Sequence, residues 1–195
     1  MTRVIAGTAG GRRLSVPAGR DTRPTSDRAR EGLFGTVQAV HGPLAGASLL
    51  DLYAGSGAVG LEALSRGAAR AALVESDPRA LRVIRANVAA LALPGAQVIP
   101  GRVETVLARG PAGLGGGPFG VVFADPPYPL PGEAVTAMLA TLAGAGWLAP
   151  GALVAVERST RSGPVDWPDG YTADRARKYG EGTFWYGLAT GTLQA

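Results

Sequence analysis

The stretch "FADPPYP", Phe123 to Pro129, runs apolar residues into a lone carboxylate, then two prolines, a tyrosine and a third proline. Proline has no N–H and a fixed φ, so Pro126 and Pro127 stiffen the backbone and leave carbonyl oxygens that can only accept. Asp125 and the Pro126 carbonyl thus make a rigid mouth of acceptors, to which Tyr128 adds an aromatic face. Such a mouth suits a planar exocyclic –NH2 group, whose two N–H bonds it would hold while the nitrogen lone pair points at an electrophile. A base flipped out of its stack, or already single-stranded, would lie on Tyr128, a contact worth about 1–3 kcal/mol. The plainer alternative is a stiff strand-to-loop turn.

A second stretch, "DLYAGSGAVGLEA" from Asp51 to Ala63, carries glycines at 55, 57 and 60 as G-x-G-x-x-G. Its context is an apolar run before it, a helical pattern after it, and Glu75 closing the next apolar run 20 residues beyond Gly55. That arrangement sets a carboxylate where ribose hydroxyls would lie and lets the backbone at Gly55 and Gly57 approach a ligand closely. A dinucleotide pyrophosphate wants bare amides at a helix N-terminus. S-adenosylmethionine brings a sulfonium and an amino-acid tail instead, and Asp51, four residues before the first glycine, suits that ligand better. The order of residues resembles the first motif of class I S-adenosylmethionine-dependent methyltransferases, with NAD binding as the competitor. Methyl transfer to an amine is an in-line displacement governed by positioning and needs no covalent intermediate. The chain has no cysteine, which excludes disulfides, thiolate metal sites and methylation at pyrimidine C5, but not amino methylation. With a single histidine, His41, a histidine metal cluster or a Ser/His/Asp triad is not expected either.

The elements that must hold these residues are readable from periodicity. "TRVIAG" and "GGRRLSV" form two short strands around a glycine turn. A helix follows over "TSDRAREGLFGTVQAV", with Thr25, Ser26 or Asp27 as N-cap and Leu33, Phe34, Val37 and Val40 on one face. Strands at 48–53, 71–76, 96–101 and 119–127 then alternate with helices "GLEALSRG", "DPRALRVIRANVAALAL" and "VETVLARG", with "PAGLGGGP" as a surface connection. A helix over 132–144, a strand at 152–158 and two closing strands, "YTADRARKYG" and "TFWYGLAT", complete the chain. Near-continuous apolar strands alternating with helices argue a parallel sheet covered on both faces, with an antiparallel hairpin at one edge. Asp125 then falls at the carboxyl end of the fourth strand of the series, where open parallel sheets bind ligands.

At 195 residues, 46% hydrophobic and 17% charged, the chain is expected to fold as one main domain of residues 25–195 behind a small arm of residues 1–24. It holds no apolar run of membrane-spanning length and no signal-peptide pattern, so a soluble cytoplasmic protein without a membrane partner is expected. The formal charge of +4 is concentrated in residues 1–31, where seven arginines (3, 12, 13, 20, 23, 28 and 30) face Asp21, Asp27 and Glu31. That is the pattern of a polyanion-binding arm, although ion pairing of Arg28 or Arg30 with Asp27 or Glu31 would remove either from it.

The chain resembles the RsmD family of bacterial 16S rRNA guanine-N2 methyltransferases. The resemblance runs through "RVIAGTAGGRRLSVP", "TRPTSDRAREGLF", "DLYAGSGAVGLEALSRGA", "LVESD", "ADPPY" and "GWLAPGALVAVE". The "RPTSDRAREGLF" block discriminates best, because the glycine loop and [D/N]-P-P-[Y/F] are shared by many amino-methylators. The resemblance implies a Rossmann-like, doubly wound α/β fold with a mostly parallel seven-stranded sheet, an antiparallel C-terminal edge hairpin and a small N-terminal β-hairpin. It implies S-adenosylmethionine as cofactor, no metal, a monomer, and a guanine of 16S rRNA in the small subunit or its assembly intermediate as substrate. Asp51, Tyr53, Ala54, Gly55, Ser56 and Gly57 would surround the methionine moiety, and Glu75 and Ser76 the ribose. Arg102 and Val103 would lie at the adenine, and Asp125, Pro126, Pro127 and Tyr128 at the target base and methyl group. Arg12, Arg13, Arg23, Arg28 and Arg30 would meet RNA, with Arg23, Thr25 and Arg28 near the cofactor or the RNA entrance. Two alternatives remain: a DNA or other RNA exocyclic-amino methyltransferase acting on adenine N6 or cytosine, and a non-catalytic RNA-binding assembly factor that keeps the fold.

Overall fold

A computed structural model describes residues 2–17, 26–112 and 116–191, so the expectations for Arg20, Arg23 and Thr25 lie outside the described residues. Five strands pair in parallel or nearly so at the centre: β3 (Ser48–Leu52), β4 (Arg70–Glu75), β5 (Ala96–Pro100), β6 (Phe119–Ala124) and β7 (Leu148–Ser159). The antiparallel β8 (Tyr171–Tyr179) and β9 (Gly182–Ala189) close the sheet, giving the order β5-β4-β3-β6-β7-β9-β8. A two-stranded antiparallel hairpin, β1 (Thr2–Arg3) with β2 (Arg13–Leu14), stands apart from it. The chain leaves β3 towards β4 and β5 on one side and returns to β6 on the other, so the topological switch falls between β3 and β6. This is the expected class I methyltransferase fold, and ligands bind such sheets at that crevice.

The central strands are apolar on both sides because both sides are covered. On one face Leu49, Val121, Phe123, Leu153, Ala155, Phe184 and Tyr186 pack with α1 (Asp27–Val40), α2 (Ala58–Ser65) and the hairpin. On the other, Leu50, Leu52, Val74, Val122, Val154 and Val156 pack with α4 (Val103–Ala108) and α5 (Gly132–Gly144). Between them α3 (Pro78–Leu91) lays Leu81, Ile84 and Leu91 inward, with Asp77 as its N-cap. The α1 N-cap is Ser26, whose Oγ accepts from Ala29 N at 3.2 Å. Fully buried Trp147 stacks on Phe119 and donates its indole N–H to Leu107 O at 3.0 Å, locking β7 against α4. No described helix is long and apolar enough to cross a membrane.

The N-terminal hairpin is held by side chains of α2 and α3. Glu62, fully buried, accepts from Ile5 N at 2.6 Å and Ala6 N at 3.0 Å and pairs with Arg66 Nε at 2.8 Å. Ser65 accepts from Ala9 N at 2.9 Å and donates to Ala6 O at 2.6 Å. The approach is close enough that a Cβ at Gly7, whose φ is +81°, would fall 1.8 Å from Ser65 O. Val4, Ala9 and Leu14 join the main core. Glu62→Ala would leave the part-buried amides of Ile5 and Ala6 and the Arg66 guanidinium without their partner, so it is expected to cost about 1–3 kcal/mol in chemical denaturation. Limited trypsin digestion should then cut at Arg12 and Arg13 under conditions in which the parent chain survives.

Candidate active site

The loop after β3 is built around Asp51. This residue sits within the strand, not at its end, and its Oδ2 accepts from Gly60 N at 3.0 Å. The packing here is close: a Cβ at Gly60 would fall 2.2 Å from Leu73 Cδ2 and 3.4 Å from Asp51 Oδ2, so any larger residue would have to displace the Leu73 side chain. The chain leaves the strand through Tyr53 at φ 60° and enters α2 through Gly57 at φ 77°, both left-handed. Burial pushes the Asp51 carboxyl up to about 8; the Gly60 amide opposes the shift and Glu75 adds to it. Burial likewise pushes the Tyr53 phenol up to about 12, with the Glu104 carboxylate contributing.

Glu75, at the end of β4, braces the glycine loop. Its Oε2 accepts from Gly55 N at 2.9 Å, while Oε1 accepts from Ser76 N at 2.7 Å and Asp77 N at 2.8 Å. A carboxylate has about four acceptor sites, so hydroxyls of a ligand can still join these amides. Buried Asn87 donates from Nδ2 to Ser56 O and Ser15 O, both at 2.9 Å, and its Oδ1 accepts from Ser15 N at 2.9 Å. Through this one side chain of α3 the N-terminal segment and the glycine loop share a support.

Across the switch point, Asp125 follows the last residue of β6, and its N–H reaches Leu52 O at 3.4 Å. Burial raises its carboxyl well above the usual range, with Glu157 and then Asp51 adding to the effect. Leu130 N donates to Pro127 O at 2.8 Å and the buried Arg158 donates to Leu130 O at 2.9 Å, so the loop after Asp125 is tied at both ends. Tyr128 stands 54% exposed at the rim.

One cleft of about 420 Å³ brings together Asp51, Tyr53, Ala54, Gly55, Ser56, Glu75 and Ser76 with Asp125, Pro126, Pro127 and Tyr128. Gly57 does not line it; its part is to turn the chain into α2. Arg102 and Val103 do not line it either. Arg102 is exposed and lies 3.6 Å from Glu104, and Val103 is buried under α4. Pro17, Asp77 and Glu157 also line the cleft, and periodicity gave no reason to select them. Glu157 had one visible signal, an acidic residue ending an apolar strand, as at Glu75 and Asp125. Glu62 and Asn87 had another, a polar residue on the inward face of a helix.

The basic arm divides. Arg30 is completely buried, with Nη2 2.6 Å from Asp27 Oδ1 and 2.7 Å from Arg3 O, so the expectation that it meets RNA is corrected: its guanidinium is spent on the fold. Arg12, though exposed, donates to the carbonyls of Ala90 and Leu91, where a cation complements the C-terminal end of a helix. Arg13 and Arg28 are exposed. A second cleft of about 510 Å³ shares Tyr128 with the first and is lined by Ser159, Thr160, Arg161, Ser162, Lys178 and Glu181.

A seven-stranded sheet, a glycine loop after its first central strand, a glutamate closing the next strand and Asp-Pro-Pro-Tyr at the switch point define a class I methyltransferase fold. Residues 2–187 match the family described as "Conserved hypothetical protein 95", and the chain belongs to that family, the RsmD family reached from its motifs. Ribosomal RNA small subunit methyltransferase D of Escherichia coli (strain K12) is 38% identical over 179 residues, 92% of this chain and 85% of that protein. The protein of the same name from Haemophilus influenzae is 31% identical over 87% of this chain and 84% of its own length. The solved structure of Escherichia coli yhhF superposes with a TM-score of 0.82 at 34% identity, covering 98% of this chain and 99% of that one. The rRNA methyltransferase aviRa of Streptomyces viridochromogenes shares the fold, with a TM-score of 0.70 at 19% identity over 91% of this chain and 90% of that one.

The raised carboxyl of Asp51 fixes a sign. Below its unfolded value near 3.8 both states hold the proton, whereas between there and about 8 the folded state holds it and the unfolded state does not. Stability contributed by the protonated form is therefore lost as pH rises through that window and is flat above it. Asp51→Asn, which keeps an acceptor for Gly60, is expected to melt higher than the parent by a margin that grows from pH 4 to pH 8, reaching on the order of a few kcal/mol. Parallel thermal melts across pH would read this directly.

Proposed function

We propose that the chain methylates the exocyclic N2 amino group of a guanine in small-subunit rRNA, using S-adenosylmethionine. The observation that carries the reading is the single cleft that unites the glycine loop with Asp125, Pro126, Pro127 and Tyr128. The names of the relatives, rRNA methyltransferases in Escherichia coli and Haemophilus influenzae, support ribosomal RNA as the substrate class.

The cleft fits the cofactor. Its walls hold Asp51 and Asp125, both raised by burial and then by neighbouring carboxylates, Glu75 for the first and Glu157 for the second, and a ligand bearing an ammonium and a sulfonium would relieve both. Glu75, fixed by three amides, would take the ribose hydroxyls, and Gly55 and Ser56 would face the methionine moiety. When bound, S-adenosylmethionine supplies a methyl carbon on a sulfonium, so that the amine lone pair forms the N–C bond and the C–S electron pair leaves on sulfur. Asp125 and the Pro126 carbonyl orient the amine by its N–H bonds. As the nitrogen gains positive charge, Asp125 takes its surplus proton and restores a neutral secondary amine. Tyr128 stacks on the base, and the tied loop keeps these groups in register with one another.

The polynucleotide would approach over Tyr128, along the second cleft, where Arg161 and Lys178 supply cations and the Ser159 and Ser162 hydroxyls supply further phosphate donors. This moves the main RNA contact from Arg12 and Arg30 towards β7 and β8, with Arg13 and Arg28 as outlying contacts.

Labelled cofactor offered with small subunits, deproteinised rRNA and duplex DNA should label the RNA, at a guanine that nucleotide mapping then locates. Label confined to DNA would favour the DNA amino-methyltransferase reading. Asp125→Ala should lower methyl transfer by roughly 10²-fold or more while calorimetry still finds cofactor binding; unchanged rRNA modification in cells carrying it would favour a non-catalytic assembly factor. The charge reversals Arg161→Glu and Lys178→Glu together should weaken RNA binding and reduce its salt dependence without changing cofactor affinity.

A further inference from the structure

We infer that Glu157 is the guanine-selecting residue of the site: its carboxylate accepts the ring N1–H while Asp125 and the Pro126 carbonyl hold the adjoining N2 amino group. The inference rests on the guanine-N2 reading above and assigns its specificity. β6 and β7 run parallel, and their last paired residues are Ala124 and Val156. The next residue of each strand is an acid, so Asp125, just past the end of β6, and Glu157, two residues before the end of β7, fall side by side, and both line the cofactor cleft. Strand alternation turns both towards the face that carries Phe123 and Ala155, away from Ala124 and Val156. Room for the second carboxylate comes from β9, where a Cβ at Gly182 would stand 2.5 Å from Glu157 Oε1.

A pair of acceptors carried by neighbouring strands into one cleft asks for a pair of donors. Adenine sets its amino group beside the N1 lone pair, and cytosine sets its own beside the N3 lone pair, each of which would face the Glu157 carboxylate and be repelled. Guanine alone sets an amino group beside a ring N–H. The mutual repulsion of the two acids, which contributes to the raised carboxyl of Asp125, is relieved by an edge that lays donors along both. Glu157 transfers no proton in this scheme; the proton released at N2 goes to Asp125.

The test replaces the mapped guanine of small-subunit rRNA, in reconstituted subunits, with 2-aminopurine, which keeps the N2 amino group but has a lone pair at N1. For the parent enzyme kcat/KM should fall about 10- to 100-fold on this exchange, the usual consequence of facing a charged acceptor with no donor. In Glu157→Gln, whose amide can donate to that lone pair, guanine activity should drop and the ratio between the two substrates should close to within about threefold. Because 2-aminopurine also lacks O6, it is the change in ratio between the two enzymes that isolates Glu157. An unchanged ratio in a variant that melts normally and binds cofactor overturns the inference. So does a loss of cofactor affinity matching the loss of activity, which would assign Glu157 to the cofactor. Parity of the two substrates in the parent enzyme overturns it whatever the variant does. Absence of any guanine methylation would instead remove the function proposed above.

Discussion

The structure turns on the burial of an acid. Asp51 lies inside a central strand with 1% of its surface exposed, held by the amide of Gly60, and with Glu75, Asp125 and Glu157 lining the same cleft. Left to itself, a hydrophobic core would not gather four carboxylates at the crossover of its sheet, because desolvation and mutual repulsion both penalise their charged forms. Neighbouring features lessen that penalty: Gly60 brings α2 close enough to donate to Asp51, and Glu75 accepts from Gly55 of the glycine loop and from Ser76 and Asp77 beyond its own strand. What remains uncompensated is the complement of a cationic ligand. Local cost and binding capacity are here two descriptions of one arrangement.

The second dependence is mechanical. The hairpin at the N-terminus is fastened to α2 by Glu62 and Ser65 and to α3 by Asn87. Asn87 also holds Ser56, so the glycine loop and the N-terminal segment rest on the same amide group. Pro17, two residues beyond Ser15, already lines the cleft. An arm that read as a basic RNA tether is thus also part of the cleft's scaffold, and two of its arginines, Arg12 and Arg30, serve carbonyl oxygens of the protein itself.

The legible part of the molecule was the part encoded by short-range pattern. Apolar runs bounded by glycine and proline gave the strands, the 3.6-residue spacing of Leu33, Phe34 and Val37 gave α1, and motif spacing brought Asp51, Glu75 and Asp125 to one crevice. The rest was decided by pairing across long separations, which periodicity does not carry. Glu62 meets Ile5 over 57 residues and Asn87 meets Ser15 over 72. Whether an arginine faces solvent, as Arg28 does, or the interior, as Arg30 does two residues later, depends on which side of α1 the sheet and hairpin cover. Arg102 and Val103 stand outside the cleft for a related reason: the segment at Arg102 enters α4 with Val103 turned down into the core.

Stiffness and recognition meet in the loop after Asp125. Two prolines restrict its backbone, the Leu130 N–H closes it onto Pro127, and Arg158 clamps its far end by the Leu130 carbonyl. Arg158 follows Glu157 in β7, so successive residues of one strand point in opposite directions with complementary tasks. One side chain fixes the loop that presents Asp125, and the other sets a second carboxylate next to it. With its backbone held at both points, the loop keeps the Asp125 carboxyl and the Pro126 carbonyl in a fixed relation at the edge of the cleft. That relation depends on the Arg158 clamp at Leu130, which keeps the loop from yielding.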